Sequence, residues 1–170
     1  MAILRLLDAI LSRIEQALIG GLLLLASFVL FANVVARYGF NSGFSWAEEL
    51  TRYAIVWMVF VGSSVAARNG AHIGVDVLAR ILSGSRFGKV LTSSVDLLCI
   101  TFSIFLIVLG WELAAQVREF GQLSPAMQIP LWTVQLAIPV GGVLMALRFS
   151  QRFWGGLTGA SNTAQLENLN

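Results

Sequence analysis

Cysteine, histidine and charge are all scarce in this chain. Its 170 residues include one cysteine, Cys99, and one histidine, His72. A membrane enzyme that exchanges thiols and disulfides with a quinone needs a cysteine pair, and a haem held between two imidazoles needs a second histidine. Both chemistries are excluded. No HExxH, GxSxG or phosphate-cradling glycine loop occurs either, so no enzyme activity and no cofactor are expected. Only 12% of the residues are charged, about half the share usual in soluble domains. That leaves too little polar surface to cover a soluble globule, and nothing suggests a nucleic-acid partner.

What remains is apolar: 57% of the residues are hydrophobic and the mean hydropathy is +0.80. Four long apolar runs cover residues 17–36, 54–67, 97–111 and 131–147. Crossing a hydrocarbon core of about 30 Å takes about 20 helical residues. The middle two runs reach that length only when their charged flanks are included, giving 46–67 and 90–117. The short alternating segments of a membrane β-barrel are not seen. The sequence predicts an all-α membrane protein with four transmembrane helices in one domain, residues 17–154.

Two further pieces flank these spans. In residues 1–16, Ile3, Leu7, Ile10 and Ile14 recur at helical spacing while Arg5, Asp8, Ser12, Arg13 and Glu15 take other faces. This predicts an N-terminal amphipathic helix on the membrane surface, either a lead-in to the first span or a docking element for a partner. Residues 75–82, in the second loop, predict a short cytoplasmic interfacial helix, with Arg80, Arg86 and Lys89 directed at lipid phosphates. Residues 155–170 read as a polar tail, and the ending at Asn170 is expected to mark a separate chain. Eight basic residues fall on the side of the termini and second loop and three, Arg37, Arg52 and Arg118, on the other. By the retention of basic residues inside the cell, both termini are expected in the cytoplasm of a bacterial inner membrane. The first span is expected to be an uncleaved anchor.

The stretch Ser45 to Trp57, "SWAEELTRYAIVW", places charge at the mouth of an apolar run. Ser45 and Glu48 have the spacing of a capping box. Glu48 and Arg52, four apart with the acid first, have the order that favours a helical ion pair. Trp46, Leu50, Tyr53, Trp57 and Phe60 form a continuous aromatic and apolar face, of which Trp46 and Tyr53 suit a membrane interface. Only 15 uncharged residues follow Arg52 before Arg68, so this cation lies at the edge of the hydrocarbon and needs cover. Asn33, one turn before Arg37, is a candidate to hydrogen-bond across helices. Internal pairing and contact with another membrane subunit both satisfy these groups. Asp96 and Glu112 are the ionisable residues of the third span. They are 16 residues apart, about 24 Å along a helix, and so sit near opposite interfaces. His72 and Asp76, four apart, are too few ligands for a zinc shell, and a structural hydrogen bond is the simpler reading.

The pattern Asn33-x3-Arg37-Tyr38-x-Phe40, then Trp46-x-Glu48-Glu49-x2-Arg52, Trp57 and Gly62, then Ala67-Arg68-x3-His72-Ile73-x-Val75-Asp76 resembles the small membrane subunit (DctQ-like, Q subunit) of tripartite ATP-independent periplasmic (TRAP) transporters. The resemblance implies a scaffold that supports a large membrane (M) subunit during sodium-coupled uptake of an organic acid delivered by a periplasmic substrate-binding protein. Sialic acid, C4-dicarboxylates, keto acids and sugar acids all fit such a system. It further implies that Asn33, Arg37, Trp46, Glu48, Glu49, Arg52, Tyr53 and Trp57 set the outer structure and the subunit contact, and that His72 and Asp76 fix the cytoplasmic loop. The alternative is an autonomous four-helix carrier or exporter acting as a homodimer, with Glu112 or Asp96 as its coupling acid.

Overall fold

The computed structural model describes residues 2–68 and 86–158, and the side chains of residues 9–68 and 93–154. Helix α1 is Ala2–Gly39, α2 Ser45–Arg68, α3 Arg86–Glu119, α4 Trp132–Gln135 and α5 Ala137–Thr158. Four segments are long and apolar enough to cross a membrane: Ala9–Gly39, Ser45–Arg68, Ser93–Glu119 and Trp132–Trp154, the last combining α4 and α5. The interfacial helix expected at 75–82, with His72 and Asp76, lies outside the described residues.

The spans stand in a row instead of closing into a bundle. α1 packs on α2, α2 on α5 and α5 on α3, while the backbone of α1 approaches neither α3 nor α5. Only 17% of the apolar window is buried in each edge span, against 28% in α2 and 44% in the span of α4 and α5. Such a row has two broad faces, and leucine and phenylalanine side chains cover them. Phe28, Phe31, Leu98 and Phe105 are among those exposed, as suits a protein surrounded by hydrocarbon.

Glycines set the spacing at the middle of the row. A Cβ on Gly141 would lie 2.7 Å from Cβ of Phe60 and 2.9 Å from its carbonyl oxygen in α2. On Gly142 it would lie 2.9 Å from Ile107 and 3.1 Å from the Ser103 carbonyl in α3. Two adjacent residues of α5 thus admit a neighbour on either side, the close approach that small residues allow between membrane helices. The fourth span is divided at Leu136, three residues before Pro139. Pro139 has no N–H to give to the Gln135 carbonyl, and the helix is interrupted at Leu136 before the Val140 amide resumes the ladder on the Leu136 carbonyl at 3.1 Å.

α1 has no break at residue 16. Ser12, Glu15, Ile19, Leu22, Ala26, Val29 and Asn33 are all buried or half-buried, alternating three and four residues apart as in a coiled-coil seam. They form one stripe against α2, whose Ala47, Thr51, Ala54, Met58 and Val61 repeat the spacing. Ile10 and Ile14, on the expected apolar face, are exposed. Ser12 and Glu15 therefore face protein while Ile10 and Ile14 face outward, the reverse of a helix in water. α5 likewise continues to Thr158, beyond the expected start of the tail at residue 155.

Candidate functional site

The first turn of α2 ties together the two loops at one end of the row. Asn33 is buried, and its Oδ1 accepts the Phe44 amide at 2.7 Å. It thereby closes the α1–α2 turn, where Asn41 takes the left-handed conformation with φ 51° that asparagine tolerates well. The partner expected across helices is thus a backbone group of the adjoining loop. Gly43 leaves room for this arrangement, because a Cβ there would sit 3.2 Å from Nε of Arg37. Arg37 then reaches Glu48 at 3.5 Å with both side chains largely exposed. Glu48 therefore pairs across the hairpin with Arg37 and not one turn along the helix with Arg52.

Glu49 faces a different loop. Its two carboxylate oxygens accept the Ala126 and Met127 amides, each at 3.0 Å. This holds the turn between α3 and α4, where Ser124 is fully buried and its amide donates to the Ile129 carbonyl at 2.9 Å. Successive helical residues point about 100° apart, so the adjacent acids hold separate loops. Trp46 is exposed with its ring 5.6 Å from that of Phe44, whereas Tyr53 and Trp57 are half-buried. Arg52 is exposed and makes no hydrogen bond or salt bridge with the described residues. With Glu48, Ile55, Val59 and Ala66 it falls on one exposed stripe of α2.

A second polar layer lies at the opposite end, near the termini. Arg148 of α5 donates to Glu15 at 2.9 Å and to Ser12 at 3.0 Å, and Ser64 of α2 donates to the other oxygen of Glu15 at 2.8 Å. The Arg148 and Glu15 side chains are each only 2% exposed. One turn further along α5, Arg152 meets Asp96 of α3 at 3.2 Å. From Ser45 to Ser64 is about 28 Å along α2, so the two polar layers are about one hydrocarbon thickness apart. Asp96 is thus held near one end of the row, and Glu112 is exposed on α3. The hydroxyls between the layers bond to their own helices: Ser63 to Val59, Thr101 to Leu97 and Ser103 to Cys99, at 2.7–2.9 Å.

Ser12, Glu15, Ser64, Arg148 and Arg152 were not among the residues singled out from sequence. Ser12 and Glu15 gave a usable signal, since they continue the stripe of Ala26, Val29 and Asn33. Their partner Arg148 is over 130 positions away and gave none. Among the described residues no group of three potential metal ligands comes together.

The sequence model of the family described as "Tripartite ATP-independent periplasmic transporters, DctQ component" matches residues 26–159. The chain is similar to the C4-dicarboxylate TRAP transporter small permease protein DctQ of Vibrio cholerae, 31% identical over 86% of this chain and 72% of the relative. It is similar to the protein of the same description from Rhodobacter capsulatus, 30% identical over 86% of this chain and 77% of the relative. A match at 30% identity to the isethionate TRAP transporter permease protein DctMQ of Oleidesulfovibrio alaskensis covers 69% of this chain but 19% of that longer protein.

Proposed function

This chain belongs to the DctQ component family of the TRAP transporters, and from that premise we propose that it is the stationary scaffold on which a large membrane subunit is mounted. The family match, which runs from the middle of the first span through the fourth, carries the proposal. The much longer DctMQ relative, which contains a segment like this chain, supports a large partner. The packing supports a scaffold over a carrier: Glu15, Glu48, Glu49 and Asp96 are tied to basic groups or loop amides, and Ser63, Thr101 and Ser103 bond to their own helices. The protein lies in the bacterial inner membrane with both termini in the cytoplasm, in keeping with the basic residues at that end. The transported molecule is an organic acid taken up with sodium after capture by a periplasmic binding protein. Relatives named for C4-dicarboxylate and isethionate agree with selection of substrate by the other subunits.

The large subunit docks on the outward stripe of α2, where Arg52 lies beside Ile55, Val59 and Ala66. Asn33, Arg37, Glu48 and Glu49 hold the ends that frame this stripe, while Trp46 and Tyr53 seat the helix at the interface and Trp57 continues the aromatic face inward. The test is copurification through a tag on the C-terminus. A large multi-span protein at fixed ratio is expected, with less of it on Arg52→Ala although the small subunit stays folded. Isolation of the small protein alone, or as a homodimer that takes up substrate by itself and loses uptake on Glu112→Gln, would overturn the scaffold role.

A further inference from the structure

Between α3 and α4 lies a groove that neither polar layer uses. Its cause is local: a Cβ on Gly110 would lie 2.7 Å from Ile138 and 2.8 Å from Pro139, so the third and fourth spans touch there. Toward the 120–131 loop they part around Trp111 and Trp132. The cavity between them is about 420 Å³, lined by Trp111, Ala115, Leu136 and Trp132, with Arg118 and Glu119 at its outer end. The Arg118 guanidinium lies over the Trp132 ring, 5.3 Å from its centre, a cation–π contact that fixes the charge at the mouth. Trp111, Ala115, Arg118 and Glu119 are exposed, so the groove is open along this side. From Trp111 to Arg118 is about 10 Å along the helix.

We propose that this groove binds one zwitterionic glycerophospholipid with an ethanolamine headgroup, its phosphate at Arg118, its ammonium at Glu119 and the start of an acyl chain between the two tryptophans. Three observations converge on that occupant. The walls are apolar at a depth where the surroundings are hydrocarbon. The two tryptophans are of the kind that collect where apolar and polar layers of a membrane meet. The rim carries one cation and one anion at adjacent positions, matching a headgroup that bears both. Arginine pairs with phosphate through two parallel donors, and a primary ammonium can donate to Glu119 where a quaternary one cannot. An anionic lipid would satisfy Arg118 but repel Glu119.

The test uses the full-length chain, purified with its large-subunit partner where the two stay together and stripped of native lipid in detergent. It is then titrated with phosphatidylethanolamine, phosphatidylglycerol or phosphatidylcholine of equal acyl composition, and bound lipid is counted by native mass spectrometry. Wild type is expected to retain one lipid with phosphatidylethanolamine preferred. Ala115→Phe, which fills the groove, should abolish retention. Arg118→Ala should weaken all three lipids about fivefold, the upper range for an exposed ion pair. Glu119→Gln, a conservative change at an exposed position, should leave phosphatidylglycerol bound and remove only the preference for phosphatidylethanolamine. Equal retention of the three lipids by wild type and by Ala115→Phe would overturn the proposal. So would loss of the lipid whenever the large subunit is bound, since a segment of that protein would then be the occupant.

Discussion

Replacing Glu15 with alanine removes the carboxylate that Arg148 meets at 2.9 Å inside the protein, and the structure sets the scale of the effect. Both side chains are 2% exposed, so solvent offers little compensation. Breaking one partner of a buried pair costs about 3–5 kcal/mol. Ser64 also loses the acceptor that it holds at 2.8 Å. Glu15→Ala is therefore expected to destabilise by about 4 kcal/mol, a large part of the 5–15 kcal/mol that holds a typical domain together. The double variant Glu15→Leu with Arg148→Met should recover most of this loss, because a buried ion pair is worth little more than well-packed apolar groups of like size. The two serines would then turn to carbonyls of their own helices, as Ser63 and Ser103 already do. Unfolding of the purified protein by an increasing fraction of denaturing detergent, followed by tryptophan fluorescence, measures both variants. A single variant within about 1 kcal/mol of wild type, where exposed pairs fall, would refute the reasoning. So would a double variant no more stable than the single.

At the other end, Glu49→Ala should release the α3–α4 turn and speed hydrogen exchange at the Ala126 and Met127 amides, while Glu48→Gln, which breaks only an exposed pair, should change stability by less than about 1 kcal/mol. Exchange at both amides unchanged in Glu49→Ala would show that the turn holds itself. In the middle, Gly141→Ala should destabilise by about 1–3 kcal/mol through overpacking, read as a lower unfolding midpoint. Phe60→Ala should not rescue it, because the clash is with Phe60 Cβ and carbonyl, which alanine keeps. Gly20→Ala and Gly21→Ala, where nothing lies within 4 Å, should be tolerated; destabilisation equal to that of Gly141→Ala would refute the account of the glycine spacing.

Hydrophobic runs, the middle two extended through their charged flanks, located the four spans, because hydrocarbon imposes a minimum length that the chain cannot disguise. The polar contacts were legible only in part. Glu48 and Glu49 stood out as charges at a span mouth, yet the local rule paired Glu48 with Arg52. The chain turns back between Gly39 and Ser45, which brings Arg37 alongside, and helix spacing cannot reveal a partner 11 residues away. Glu49 depends on amides 77 and 78 residues distant, and backbone donors leave no mark in a sequence. The N-terminal segment was legible as an amphipathic helix, but the partners of its polar residues were not. Its period of apolar residues was real, but which side faces inward depends on the solvent. Where hydrocarbon surrounds the helix, isoleucines such as Ile10 and Ile14 turn outward and Ser12 and Glu15 turn in.

That inversion explains how a single row of helices keeps its shape with only a small apolar cluster, Ala67, Met145 and Phe149, at its core. Leucine and phenylalanine gain nothing by leaving lipid for protein, so the contacts that bind the row must be of other kinds. Glycine backbones in close approach hold α5 against α2 and α3 at mid-depth. Polar groups that would be costly in hydrocarbon bind the ends: Glu15 and Arg148 link α1 to α5 across Ser64 of α2, Asp96 and Arg152 link α3 to α5, and Glu49 fastens the far loop to α2. Each polar tie joins elements distant in the sequence, and together with the glycine contacts they engage all four spans. The broad apolar faces are left unspent by these ties. A slab of this construction can give one face to a large partner and the other to lipid without loosening its own helices, in keeping with the scaffold role proposed for it.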